Sequence, residues 1–157
     1  MMPSAYYILD TSVLVEFLGV PGMRNSEAEI QNLFLQKRRD DESFLLPIAT
    51  IIETGNHIAH IKEGQGSKRY DCSQKLITIV QNTFQGEGAF APMNYISRPI
   101  VENWLTSFGE NVESGVGIGD AAIITEFESQ KNKLRQRLYI WSLDKHLAGY
   151  DTHPSLA

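Results

Sequence analysis

A chain of 157 residues can bury a single core, its 42% apolar and 21% charged content is ordinary for a globular protein, and no apolar run reaches the roughly 18 residues of a membrane helix. The formal charge of −5 excludes a broad basic face for gripping nucleic acid, but it suits several carboxylates gathered at one site with cations between them. The lone Cys72 excludes an internal disulfide and a multi-cysteine zinc site, and the first seven residues lack the basic start and apolar run of a secretory signal, so the expected location is the cytoplasm.

In chain order, Tyr6 to Leu9 is an apolar, aromatic-rich run before Asp10-Thr11-Ser12, which predicts a buried strand meeting a helix cap. The first helix carries Val13, Leu14, Val15, Phe17 and Leu18 and ends at Gly19; Asn25 or Ser26 caps a second with Ala28, Ile30, Leu33 and Phe34 near a 3.6-residue period. Phe44 to Ile48 predicts a second buried strand, with Thr50 opening a helix that places Glu53 in its first turn. Ser67 opens another helix through Phe84, giving a helical hairpin, and Ala89 to Pro92 is a short strand. Ser97 before Arg98-Pro99 starts a helix, Glu110 to Gly119 reads as a glycine-rich loop, and Asp120 leads a helical pattern. Leu138 to Leu143 is a last buried strand ending at Asp144.

Strands separated by helices imply an α/β fold of three layers, α/β/α, with a mainly parallel sheet and helices on both faces. One domain over residues 1–157, with its core about 5–150, accounts for the chain, since no linker, repeat or low-complexity tract interrupts it. In such a sheet the ligand site lies beyond the carboxyl ends of the strands.

Four acids belong at that edge: Asp10 and Asp144 follow strands, and Glu53 and Asp120 sit at or near helix starts. Taken singly, each has a structural reading: Asp10 and Asp120 as helix caps, Glu53 as an exposed first-turn acid, Asp144 as the cap of the turn Lys145-His146-Leu147. Together they would repel one another unless divalent cations neutralised them, and an all-oxygen set suits magnesium or manganese better than zinc. Such ions generate hydroxide and stabilise phosphoryl charge, so phosphodiester hydrolysis is the natural chemistry.

These residues resemble the PIN-domain nucleases, especially their VapC-type toxin branch. Ile8-Leu9-Asp10-Thr11-Ser12-Val13-Leu14 resembles the family's opening motif, Ala49 to Asn56 its glutamate-bearing helix, Gly119-Asp120-Ala121-Ala122-Ile123 its third acidic motif and Leu143-Asp144-Lys145-His146-Leu147 its fourth. The likeness spans residues 6 to about 150. It implies a PIN-like fold and hydrolysis of single-stranded RNA with Mg2+ or Mn2+ held by Asp10, Glu53, Asp120 and Asp144. It also implies that Thr11 or Ser12 orients Asp10 or a metal-bound water, that Asn56 lines the pocket, and that Ser142 stands where a small hydroxyl residue is usual. An antitoxin and a second copy of the chain are the protein partners it suggests.

Among the remaining polar residues, Lys145 is the base best placed to reach a bound phosphate, because it adjoins Asp144. Lys68 and Arg69 have solvated surface as their simpler reading, and Lys131 to Arg137 the field at a helix C-terminus. His57 and His60 lack the spacing of a zinc protease; His146 could donate to substrate, and His153 falls in the tail. Packing accounts better than catalysis for Cys72 and better than base stacking for Trp104 and Trp141. Two rivals remain: a non-catalytic RNA-binding or scaffold protein of the same fold, and a receiver-like signalling domain, which Asp10 fits poorly without an adjacent second acid.

Overall fold

The computed structural model describes residues 2–93 and 96–151; His153 lies outside them. Strands β1 (Ala5–Leu9), β2 (Glu42–Leu46), β3 (Phe90–Pro92) and β4 (Arg137–Trp141) form one sheet in the order β3-β2-β1-β4. Every pairing is parallel, with Tyr7 level with Phe44 on one side and Tyr139 on the other. Parallel neighbours need crossovers, which the helices α1 (Thr11–Phe17), α2 (Glu27–Arg39), α3 (Ile48–Ala59), α4 (Lys68–Phe84), α5 (Arg98–Asn111) and α6 (Ile118–Gln130) supply. The expected α/β arrangement with a parallel sheet is the one observed, and no helix among the described residues is long and apolar enough to cross a membrane.

Strand alternation sorts the core into two sides of the sheet. Tyr7, Leu9 and Phe44 pack with Val13 and Ile30 under α1 and α2, and Leu46 joins Leu14, Leu18, Ile58, Cys72 and Leu76 where α1, α3 and α4 meet. Ile8, Leu138 and Ile140 turn the other way, onto Ile123 and Phe127 of α6. Each such buried Leu, Ile or Phe contributes about 1.5–3 kcal/mol, so both faces are committed to the core and chemistry is left to the sheet's edge. Cys72 is 1% exposed with its thiol against the Leu18 carbonyl at 3.6 Å, and burial raises its pKa, which suits packing.

Three boundaries differ from the sequence expectation. Pro47, in extended conformation, is the N-cap of α3, so the helix starts at Ile48 and Glu53 lies in its second turn; the Thr50 hydroxyl instead donates to the Leu9 carbonyl at 2.7 Å. The expected loop from Glu110 to Gly119 is mostly helical: α5 runs to Asn111, a 3-10 turn covers Val112–Ser114, and left-handed Gly115 breaks the chain before α6 begins at Ile118. Finally, β4 stops at Trp141, three residues short of Asp144, because Ser142 turns inward to donate to Asp10 beside Ser12 at the start of α1.

Two features brace this frame. Buried Glu16 accepts the backbone N–H groups of Arg24 and Ser26, fixing the loop that leads into α2, whose Ser26 makes no side-chain cap of its own. At the far edge, Ile140 N–H donates to the Tyr150 carbonyl at 3.1 Å and Tyr139 bridges Asp151 in antiparallel fashion. Arg137 is part of β4 rather than of a helix end: its guanidinium pairs with Asp151 and lies 4.5 Å from the Tyr139 ring centroid.

Candidate functional site

Asp10 is the residue at which β1 becomes α1. Its extended backbone (φ −85°, ψ 157°) makes it the N-cap, and it is only 3% exposed. Its Oδ2 accepts from the hydroxyls of Ser12 at 2.6 Å and Ser142 at 2.7 Å and, more weakly, from Ser12 N–H at 3.3 Å. Each hydroxyl also accepts a backbone N–H: Leu143 N–H reaches Ser12 Oγ and Asp144 N–H reaches Ser142 Oγ, both at 2.9 Å. A serine hydroxyl carries one proton, so both protons are committed to Asp10, and both land on the same oxygen. Ser12 thus holds Asp10 from the first turn of α1, and Ser142 does so from the loop after β4.

Thr11 serves a different acid. Its hydroxyl donates to Glu53 Oε2 at 3.2 Å across the gap between α1 and α3. The other carboxylate oxygen presses on Gly119: a Cβ at that glycine would sit 1.5 Å from Glu53 Oε1. Burial raises the Glu53 carboxyl above its usual pKa, and the Asp10 charge adds to this, whereas the Thr11 hydrogen bond and His57 oppose it. Half-buried Glu53 is therefore a carboxylate held in place from two sides, not an exposed first-turn acid.

Asp120 is the third residue of α6, whose N-cap is Gly117, so helix capping does not explain it. Its carboxyl is pushed up to about 6, first by burial and then by the charges of Asp10, Asp144 and Glu53, with His146 opposing. The three other acids act on Asp120 through space, which brings residues from four distant segments into one electrostatic neighbourhood. Asp144 does cap, as its structural reading held: its Oδ1 accepts His146 N–H at 2.9 Å at the head of the 3-10 turn Lys145–Leu147. Capping and participation in the cluster coexist for Asp10 and Asp144.

The donor set is all oxygen and strongly anionic, which fits a hard divalent cation. Among the described residues no three His, Cys, Asp or Glu side chains close onto a common point as a finished metal centre would. Asn56 and Lys145 are exposed and make no side-chain hydrogen bond with described residues. His57 on α3 and His60 at its C-cap are exposed, with His60 Nδ1 donating to the Asn56 carbonyl at 2.7 Å. Arg69 is spent on the Ile61 carbonyl at 2.6 Å. Two positions have roles that the sequence reading did not assign. Thr50 ties the start of α3 to the end of β1 directly before Asp10. Gly119 supplies the clearance that Glu53 occupies, and its one sequence signal is that it directly precedes Asp120.

No protein-family model matches the sequence, and no curated protein matches it. Solved structures share the architecture, two of them as follows. The FitAcB structure from Neisseria gonorrhoeae aligns with a TM-score of 0.54 at 18% identity, covering 89% of this chain and 88% of that one. VapBC2 from Rickettsia felis, solved bound to a DNA fragment from its promoter, aligns with a TM-score of 0.51 at 13% identity, covering 87% of this chain and 99% of the other. At these identities the likeness shows a common fold.

Proposed function

We propose that this protein is a metal-dependent endoribonuclease that hydrolyses phosphodiester bonds of single-stranded RNA. The observation that carries the reading is the electrostatic convergence of Asp10, Glu53 and Asp144 on Asp120 at the carboxyl edge of a parallel sheet. A structural role for each acid alone would not require the four to share one site. The motif resemblance to PIN-domain nucleases and the fold likeness to VapBC2 support the same reading.

Bound among these carboxylates, Mg2+ or Mn2+ would supply hydroxide from water and stabilise negative charge on the phosphoryl oxygens. The chain's own residues do the positioning. Ser12 and Ser142 fix one oxygen of Asp10 and leave the other for a cation; Thr11 and the bare Cα of Gly119 fix Glu53 between them. Asp120, whose charge is disfavoured by burial and by the three other acids, would be relieved by a neighbouring cation. Asn56, beyond Glu53 on α3, and Lys145, beside Asp144, are assigned to the RNA strand.

As the toxin of a toxin–antitoxin pair, the chain would have this pocket covered by a small antitoxin, and a homodimer is the assembly the resemblance suggests. Both belong to this reading, as does a cytoplasmic location. The test is cleavage of single-stranded RNA with Mg2+, Mn2+ or chelator. The wild type is expected to cut only with cation, and Asp10→Asn is expected to keep its fold and lose cleavage. A variant that cuts at the wild-type rate removes Asp10 from the mechanism. The second reading, a non-catalytic RNA-binding or scaffold domain, draws on the fact that Asp10 and Asp144 are already satisfied by protein donors. It is the reading that RNA binding without cleavage under any cation would favour.

A further inference from the structure

A polar stripe leads away from the acid cluster along α3. Glu53, Asn56, His57 and, at the C-cap, His60 stand at positions i, i+3, i+4 and i+7, so they share one side of the helix, and His57 acts electrostatically on the Glu53 carboxyl. Helices α1 and α3 leave the same sheet edge side by side. Thr11 meets Glu53 at the acid end, and at the other end the loop after α1 meets His57 and His60 around an open cavity of about 300 Å³. Pro21 and Met23 give this cavity an apolar wall, and its polar side chains are His57, His60, Lys62 and Gln65, with no carboxylate among them. In a chain of 19 acids against 14 Lys and Arg, a hollow free of acids is not what composition yields by default. Lys62 makes no ion pair among the described residues, whereas Arg98, Lys131 and Arg137 each have a carboxylate. His60 spends its Nδ1 proton on the Asn56 carbonyl, which leaves Nε2 as an acceptor in the neutral ring.

We propose that this cavity is a second nucleotide subsite, in which His57, Lys62 and Gln65 hold a phosphate of the RNA strand on one side of the phosphate at the acid cluster. This rests on the endoribonuclease reading. The three side chains supply an ammonium, an imidazole and an amide as donors to phosphate oxygens, His60 Nε2 accepts from a ribose hydroxyl, and the Pro21–Met23 wall covers the sugar or base. The volume is at the small end of the roughly 300–1,000 Å³ of ligand sites, which suits one nucleotide. Seven residues of helix separate His60 from Glu53, about 10 Å along the axis, so the strand reaches the cavity within one or two nucleotides of the acids. An acidic peptide would satisfy the donors but would leave the ribose acceptor and the carboxylates at the other end of the stripe without a partner. Because the cavity lies to one side of the acids, it also fixes the direction in which the strand crosses them.

The test uses single-stranded RNA oligonucleotides of one sequence in which a single uncharged methylphosphonate is moved along the strand. With Mn2+ the wild type is expected to lose about tenfold in cleavage when the neutral linkage lies one or two nucleotides to one side of the scissile phosphate, and to be indifferent on the other side. The exposed-site variants Lys62→Gln and His57→Gln should cut the intact strand more slowly and lose little more from that linkage. A readout independent of cleavage is oligonucleotide binding to Asp10→Asn with Mn2+, followed by fluorescence anisotropy of a labelled strand. Adding Lys62→Gln should weaken it and flatten the slope of log affinity against log salt by about 0.7, the share of one phosphate contact on a single strand. Binding that depends on Lys62 and on that one phosphate, in a chain whose wild type never cleaves, would support the subsite and defeat the nuclease reading. Cleavage insensitive to every neutral linkage beside the scissile one would overturn the subsite and leave the nuclease standing. A linkage effect of equal size in wild type and Lys62→Gln, His57→Gln would place the phosphate contact elsewhere and also overturn the proposal.

Discussion

Gly119→Ala separates the chemistry of the site from its stability. The added Cβ would lie 1.5 Å from Glu53 Oε1 and 2.6 Å from its Cδ, so the carboxylate must swing away and give up the Thr11 hydrogen bond. Losing that bond costs about 1 kcal/mol, and replacing glycine with alanine in a helix returns about 0.5–1 kcal/mol. The two nearly cancel, so Tm is expected to move by less than about 4 °C. Activity has no such compensation. A displaced Glu53 no longer faces the other acids, and disturbing a group that orients a metal ligand costs roughly 10–100-fold in metal affinity or activity. Initial rates of RNA cleavage across a Mn2+ titration, paired with thermal melts, check this: the variant should need more cation and cut more slowly while melting near the wild type. Wild-type rates at wild-type Mn2+ would refute the argument that Gly119 holds Glu53 in place.

Asp120→Asn should stabilise the metal-free protein at neutral pH. Its folded carboxyl titrates near 6, above an ordinary aspartate near 4, so its destabilising contribution grows as pH rises between these values and is complete above them. Melts should therefore show the variant ahead of the wild type above pH 6 and equal to it below about pH 4, with Mn2+ closing the gap at neutral pH. Ser142→Ala removes a donor to Asp10 and the acceptor for Asp144 N–H together, so cleavage should fall about 10–100-fold with far-UV circular dichroism unchanged. Glu16→Ala strands two backbone N–H groups at about 1–3 kcal/mol each, and a urea melt should show a loss of about 2–6 kcal/mol.

Much of this was legible in the sequence because it depended on periodicity. The apolar runs Tyr6 to Leu9 and Phe44 to Ile48 and the helical patterns between strands dictate a parallel sheet, and a parallel sheet dictates which edge carries the acids. What escaped was set by contacts between distant segments. Nothing local to Ser142 says that it will leave its strand to meet Asp10 and Ser12, and that contact with the start of α1 is why β4 ends at Trp141. The helical content of Glu110 to Gly119 was hidden by its glycines, of which only Gly115 adopts the left-handed conformation that breaks the helix; Gly117 caps and Gly119 is helical. Thr50 looked like a cap because threonine caps helices, yet Pro47 begins α3 earlier and frees the hydroxyl to bond the end of β1.

The return of the chain alongside β4 bears on how the molecule behaves in a crowded solution. An outer strand with a row of open amides and carbonyls is a template on which other chains can zip up. Here Tyr150 occupies one of those amides, Asp151 pairs with Arg137, and that guanidinium lies over the Tyr139 ring. This short turn back acts as a guard rail, giving the sheet a charged and partly sated margin where it would otherwise be adhesive.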